Sequence, residues 1–432
     1  MSHNAAVTAG PQSHGAGSPL GVPGFRTLAA AYSINELGNW LGDIALAILV
    51  YDETKSALAT ALLFVAVRFV PALTAPAIVA RIERVGPRTA LSALYGLDAV
   101  VFAVLAVLAT GEFLLAAIVV LGALDGALAL AARALTRSTS AALLSPHGLL
   151  RRGNALFNFG FTGAFALGPA IAGLVVAHAG VSTALALDAG SFAFVALLIA
   201  ASTALPAGQR AEGSWRQRIR DALEYIRGRR LLSGVLTAQA AAFLFFYAVI
   251  PIEVVYAKKT LEAGNTGYGW LLAAWGVGMI VGGLVFAWAQ GARIQLLLGL
   301  GTIAIGGAYL GLAAAPNLAA ACAISVVGGV GNGIQWISLV NVVQELTTAA
   351  MQARVLGVLE AIGAALPAAG FFVGGAVATL GSPRTAYVFS GVGVVVTLVV
   401  AGVALRNADW PARGAVAPEE PTAPAGRAPP AS

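Results

Sequence analysis

The sequence predicts an all-α membrane protein, with twelve transmembrane helices in two pseudo-symmetric six-helix bundles. Three observations carry that expectation. The 432-residue chain is 59% hydrophobic and only 10% charged, with 52 glycines, which makes a soluble globular chain a poor fit. Its apolar residues come in runs of roughly 20, the length that crosses a bilayer's hydrocarbon. The longest strongly charged stretch, Leu205–Arg230, falls near the middle and separates two apolar halves.

In order, the first half gives spans near 27–50, 56–80, 90–110, 113–134, 154–178 and 181–204. The second half gives spans near 231–256, 267–290, 294–314, 317–340, 355–380 and 384–405. Residues 26–204 and 231–405 therefore form the two bundles, and 205–230 joins them. Within the joining segment, Ser214 and Gln217 make a capping-box pattern. Trp215, Ile219, Ala222, Leu223 and Ile226 then share one helical face, with arginines elsewhere, an amphipathic helix suited to a membrane surface. Residues 1–25 are rich in Gly, Ala, Pro and Ser, and 406–432 in Pro and Ala. Both read as disordered cytoplasmic tails, the first lacking the basic start of a secretory signal.

Orientation follows from the 25 Lys and Arg residues. With both termini inside, the cytoplasmic side holds 20 of them and the opposite side holds Lys55, Lys258, Lys259 and Arg384. Arg68 alone lies within a span. The same alternation argues against nucleic acid as the reason for the net charge of +6. The halves also repeat: an offset of 202 pairs Arg152 with Arg354, Gly168 with Gly370, Gly173 with Gly375, and Thr183 with Thr385. Duplication of a six-helix unit around a central cavity accounts for this.

A single Cys322 excludes an internal disulfide framework and a multi-cysteine metal site. No nucleophile–base pair, metal-ligand cluster or phosphate loop appears in the sequence, so neither an enzyme nor a cofactor is expected.

Several motifs resemble the major facilitator superfamily over residues 25–405, nearest to the bacterial efflux branch that includes macrolide and enterobactin exporters. Leu37-Gly38-Asn39-Trp40, then Leu49-Val50-Tyr51-Asp52 before Ser56-Ala57, is similar to that branch's first helix and turn. Arg68-Phe69-Val70-Pro71 resembles its Arg-x-x-Pro element. Glu83-Arg84-Val85-Gly86-Pro87-Arg88 resembles the superfamily's loop after span 2, with Glu for Asp and an interrupting Pro. The resemblance implies that Glu83, Arg84, Gly86 and Arg88 form charge pairs locking one conformation. Gly168-Pro169-Ala170-Ile171-Ala172-Gly173 resembles the gate element of drug–proton antiporters, with Gly168, Pro169 and Gly173 in place. Arg152-Gly153-Asn154-Ala155-Leu156 ahead of it resembles a further segment of the branch.

Ionisable residues inside spans are costly and need partners or water. Glu36 and Asp43 in span 1 are seven residues apart, on nearly one helical face. A carboxyl in an apolar cavity exchanges protons near neutral pH, so Glu36, Asp43 and Asp125 in span 4 are proton-coupling candidates. Structural acids bonded to Asn35 and Asn39 are the alternative. Arg68 needs a carboxylate among Glu36, Asp98 and Asp125, and an intramembrane pair of Arg68 with Asp98 is expected. Arg133 reads as an anchor snorkelling to the cytoplasmic interface, and Asp188 as solvated in the outer third of span 6. The second half gathers aromatic and amide groups: Gln239, Phe243, Phe246, Tyr247, Trp270, Trp275, Asn332, Gln335 and Trp336, with Glu360 near Arg354. They suit a large, partly apolar ligand in a cavity.

The reading is a monomeric alternating-access transporter of the inner or plasma membrane. Its partners are protons, membrane lipids and an amphipathic small molecule, exported by proton coupling. That an antibiotic or secondary metabolite is the substrate is implied by the resemblance. An importer or facilitator of a small polar solute, and a non-transporting scaffold or sensor, stand as alternatives.

Overall fold

The computed structural model describes residues 17–82, 85–205, 215–289, 291–408 and 410. Every regular element among them is helical. The first half contains α1 (Pro23–Thr54), α2 (Ala57–Ile82), α3 (Pro87–Leu108), α4 (Leu115–Leu144), α5 (Leu150–Ala179) and α6 (Val181–Ala201). A short α7 (Trp215–Arg227) follows. The second half contains α8 (Arg230–Ala248), α9 (Gly264–Trp288), α10 (Ile294–Ala314), α11 (Leu318–Glu345), α12 (Ala349–Leu380) and α13 (Pro383–Ala404).

Apart from α7, these helices match the twelve expected spans one for one. The span expected at 294–314 matches α10 at both ends; most of the others shift, because helices stop at caps rather than where hydropathy falls. Asn317 caps α11 by accepting from Ala320 N–H at 3.0 Å. Ser382 caps α13, with Pro383 at its first position. The charged end of α4 continues to Leu144, ten residues past the expected end at 134. The helix α1 starts at Pro23 rather than at 27, so part of the expected N-terminal tail is ordered. Residues 1–16 and 411–432 lie outside the described residues.

Nine of the described helical segments are long and apolar enough to cross a membrane. The helices α2 and α12 add shorter apolar stretches, Ala57–Pro71 and Ala365–Leu380, while α1 carries Arg26, Glu36 and Asp43 along its length. Val100, Val104 and Val107 on α3 and Val396, Val399, Val400 and Val403 on α13 are exposed. Such apolar surface is suited to lipid.

After Ala248 the seventh span does not continue as a regular helix. Pro251, lacking an N–H, sits in a 3₁₀ turn (Ile250–Ile252), and the span ends in a π-helical turn (Tyr256–Thr260).

The chain divides into two compact units. The first comprises 1–49 and 70–210, the second 50–69 and 211–432. The segment Val50–Phe69, assigned by sequence to the N-terminal bundle, thus clusters with the second unit. Its packing there is specific: Phe64 lies 5.6 Å from Phe371 between ring centroids, and Ala61 fills the space beside Gly375.

In the first unit α3 packs on α6 and α4; in the second, α10 packs on α13 and α11. The third and sixth helices of each half therefore pair alike. In the second unit α9 and α11 touch backbone to backbone. A side chain at Gly329 would collide with the Trp275 carbonyl, and one at Gly333 with that of Met279. Gly278 and Gly282 supply the matching positions on α9.

The amphipathic helix α7 buries Ala222 and Ile226 of its apolar face. Ile226 is buried in a cluster with Leu232, Val235, Val355 and Leu359. The Tyr225 hydroxyl accepts from the Thr348 N–H at 2.9 Å, and Arg354 pairs with Asp221 at 2.9 Å. The expected surface helix is docked on the second unit, because the starts of α8 and α12 present an apolar patch to it. Ser214, the expected cap, lies outside the described residues.

Candidate functional site

In the first unit, Glu36 is buried on α1 and receives the Arg133 guanidinium from α4, Nη2 to Oε1 at 3.4 Å. The sequence reading places Arg133 at the membrane edge. With α4 longer than expected, Arg133 stands eleven residues before the helix end, about 16 Å along the axis at 1.5 Å per residue, and there it meets a carboxylate. Tyr32, one turn before Glu36, and Tyr95 on α3 both lie in the electrostatic surroundings of this pair.

Asp98 on α3 is fully buried, and among the described residues neither carboxylate oxygen has a hydrogen-bond partner. The expected Arg68–Asp98 pair is therefore not formed. Arg68 is exposed on the part of α2 that clusters with the second unit. Asp188 on α6, expected to be solvated, is fully buried as well. Its Oδ1 accepts from the Ser191 hydroxyl at 3.1 Å. The carboxylate sits against α1 where Gly38 and Gly42 leave room; a Cβ at Gly38 would fall 2.6 Å from Oδ1. Asp125 on α4 is buried, and Asp43 is half-buried. The structure thus brings Glu36, Asp43, Asp98, Asp125 and Asp188 into one unit, and Glu36 faces Arg133 in a direct pair.

Gly168, on the proline-containing α5, lies against the indole of Trp40, with Pro169 and Gly173 buried beside it. Of the loop before α3, Gly86 and Arg88 are exposed, while Glu83 and Arg84 lie outside the described residues.

The second unit holds a small cavity of about 30 Å³, mostly apolar-walled with a few amide and hydroxyl groups, room for water rather than a large ligand. Gln239, Phe243, Asn332, Gln335 and Trp336 line it, joined by Phe246 and Thr302, of which Thr302 is not among the residues the sequence singles out. Gln335 donates to Gln239 at 2.6 Å, and Trp275 donates to Asn332 at 3.2 Å. Trp275 also stacks on Tyr309 at 5.5 Å. Tyr247 is absent from the cavity wall and meets Phe371 edge-on at 5.8 Å. The side chain of Glu360 lies outside the described residues.

Two clusters in the second unit escape the sequence reading. Lys258 on the π-helical turn reaches both Asp52 oxygens at 2.6 Å and Asn265 Oδ1 at 2.7 Å. In the sequence Asp52 is visible only as part of a motif, and Lys258 only as a loop charge. Glu253, at the break after α8, is half-buried near Tyr309 and Tyr387. An acid two residues after Pro251 inside an apolar run is its legible signal.

Solved structures with the same architecture are transporters. The chain is similar to the nucleoside transporter NupG at 13% identity, TM-score 0.69, covering 89% of this chain and 99% of that one. It is similar to a bacterial homologue of the lysosomal transporter Spinster, inward-facing and occupied, at 14% identity, TM-score 0.69, covering 90% and 98%. A bacterial homologue of the iron transporter ferroportin, in its inward-facing state, gives 15% identity, TM-score 0.67, covering 88% and 98%. At such identities the likeness establishes the fold. No curated protein sequence matches the chain. The family model described as transmembrane secretion effector matches residues 14–422. A multi-pass chain with the major facilitator fold, and with its buried polar groups gathered separately in two units, belongs to the transmembrane secretion effector family of membrane transporters.

Proposed function

We propose that this transporter exports an amphipathic small molecule, an antibiotic or secondary metabolite, in exchange for protons by alternating access. The observation that carries the reading is the division of polar groups. Carboxylates are buried in the first unit, one of them facing a part-exposed arginine, and neutral amides framed by aromatic rings are buried in the second. Neutral amides and rings recognise a partly apolar ligand with few directional bonds. Buried carboxylates bind and release protons, and Glu36 does so against Arg133.

Protonation of Glu36 removes its charge and frees Arg133, so the ion pair and the protonated acid are two states that a pH gradient biases. The loop after α2 and the Gly168–Pro169 gate serve the conformational exchange. The efflux direction, the macrolide and enterobactin exporter branch and the cytoplasmic placement of both termini in the inner or plasma membrane belong to this reading. It takes support from the family's secretion description and the positive-inside count.

The test is uphill transport in reconstituted vesicles with an imposed pH gradient, across a panel of amphipathic antibiotics. Glu36→Gln mimics the protonated acid. It is expected to abolish pH-driven accumulation while leaving substrate binding and exchange intact. Uphill transport by this variant at the wild-type rate would remove Glu36 from the coupling role.

A further inference from the structure

The transport reading leaves one charged surface of the second unit without a task. On α10, Leu296, Leu300 and Ile303 are each about half exposed. They recur at three- and four-residue spacing, so they form one row along the helix. Arg293, three residues before Leu296 and in phase with the row, is exposed too. On α13 the same arrangement runs in the opposite direction. Val396, Val399 and Val403 are exposed at that spacing, and so is Arg406, three residues after Val403. Each row closes on an arginine.

The two rows run side by side and end together. The helices α10 and α13 pack against each other: a Cβ at Gly306 would meet Val395, and one at Gly391 would meet Leu310. Ile294 and Leu405, the chain neighbours of Arg293 and Arg406, belong to one buried cluster. That cluster sets both arginines at the same end of the helix pair. The exposed Arg230 adds a third charge there, since Gly234, one turn further along α8, packs against Leu405. Among the described residues, Arg230, Arg293 and Arg406 make no ion pair. The α7 acids Asp221 and Glu224 are held by Arg354 and Arg220.

Apolar rows that close on cations complement a phospholipid, acyl chains against the rows and phosphate against the guanidinium groups, which bind phosphate oxygens in a fork. The α10 row continues to Leu310, about 21 Å from Leu296 at 1.5 Å per residue. One leaflet supplies about 15 Å of hydrocarbon, so a chain anchored at Arg293 lies on aliphatic side chains throughout. The matching helices of the first unit, α3 and α6, expose Val100, Val104 and Leu197, yet α6 ends on Ser202 and Thr203. Exposed apolar surface alone therefore does not bring an arginine to the end of both helices. We propose that α10 and α13 hold one anionic phospholipid, its phosphate at Arg293 and Arg406 and its chains along the two rows. The surplus of positive charge selects an anionic headgroup over a zwitterionic one.

Native mass spectrometry of the full-length protein, delipidated in detergent, tests this with phosphatidylglycerol and phosphatidylcholine of the same acyl chains. The wild type is expected to retain one phosphatidylglycerol under conditions that strip phosphatidylcholine. Arg293→Gln and Arg406→Gln should each weaken phosphatidylglycerol binding roughly fivefold, the effect of one surface cation, and together should remove the preference. Lys259→Gln alters an exposed cation at the far end of the span that Arg230 begins, and should leave the preference unchanged. Glycerol phosphate, the headgroup without its chains, should not compete. Equal retention of the two lipids by the wild type would overturn the site, and needs no variant to fold. So would a double variant of native helix content that keeps the preference. Competition by glycerol phosphate as effective as by the lipid would also overturn it, leaving an anion site without a lipid. Transport enters none of these measurements, so their failure is distinct from failure of the export reading.

Discussion

The two units bury different chemistry with the same number of long helices. Among the described residues, every buried carboxylate is in the first: Glu36, Asp98, Asp125 and Asp188. The second buries amides and hydroxyls instead, among them Gln239, Gln335, Ser325, Ser338 and Ser390. Its helices α9 and α11 approach until glycine Cα atoms meet carbonyls, whereas Gly38 and Gly42 on α1 of the first unit meet side chains, the Asp188 carboxylate among them. A neutral amide pair such as Gln239–Gln335 tolerates a tight wall. The first unit is thus the richer in buried charge, and the second in close backbone contact.

The packing half of that contrast is the easiest to break. Gly329→Leu drives a side chain into the Trp275 carbonyl, and neither helix backbone can yield locally. Overpacking of a tight interface costs about 1–3 kcal/mol and occasionally more, and here no flexible neighbour absorbs it. Folded, monodisperse protein should not be recovered by size-exclusion chromatography. Gly163→Ala in α5, with nothing near it, should elute as the wild type. Equal behaviour of the two would remove the difference in packing.

The charge half is tested by Arg133→Ala. Removing one partner of a fully buried ion pair costs ~3–5 kcal/mol. The Arg133 side chain is 34% exposed and the contact is 3.4 Å, so about 2–3 kcal/mol is expected here, read as a lowered thermal unfolding midpoint. Adding Glu36→Gln should restore most of the loss, because the orphaned charge is what destabilises. A double variant no better than Arg133→Ala would mean that the pair matters only through packing.

Gln239→Leu should cost less. It leaves the buried Gln335 amide without its acceptor, a penalty of about 1–3 kcal/mol. Replacing both by Leu should recover stability while weakening ligand binding in the same preparation. Recovered stability with unaltered ligand affinity would take the pair out of the proposed substrate cavity.

Much of this contrast is legible in the amino-acid sequence. Runs of apolar residues mark all twelve long helices, since hydrocarbon thickness sets their length whatever the tertiary contacts. The amide and aromatic residues of the second half show their cavity in the same way: six of the nine named line it. Pairing is not legible. Arg133 looks like an interfacial anchor because hydropathy ends the fourth span at 134, while the helix itself runs on to Leu144. Asp188 looks solvated because depth along a helix says nothing about which face it occupies. Its burial depends on Gly38 and Gly42 of a helix about 150 residues earlier in the chain, a correlation no local pattern carries. Arg68 and Asp98 match on depth alone, yet the start of α2 clusters with the second unit.

The smallest effect concerns α7, where charge and apolar burial act on one element. Asp221 and Arg354 make a 2.9 Å pair with side chains 30% and 40% exposed. Part-exposed pairs contribute about 0–1 kcal/mol in typical measurements, and salt screens them. Ile226, by contrast, is 7% exposed within the apolar cluster. Complete burial of such a side chain is worth about 1.5–3 kcal/mol. Asp221→Asn is therefore expected to shift the unfolding midpoint barely, and less at high salt. Ile226→Ala should shift it clearly and raise hydrogen exchange along α7. If Asp221→Asn released α7 as fully as Ile226→Ala does, the helix would be held by its charge. The second unit's reliance on shape would then end at α7.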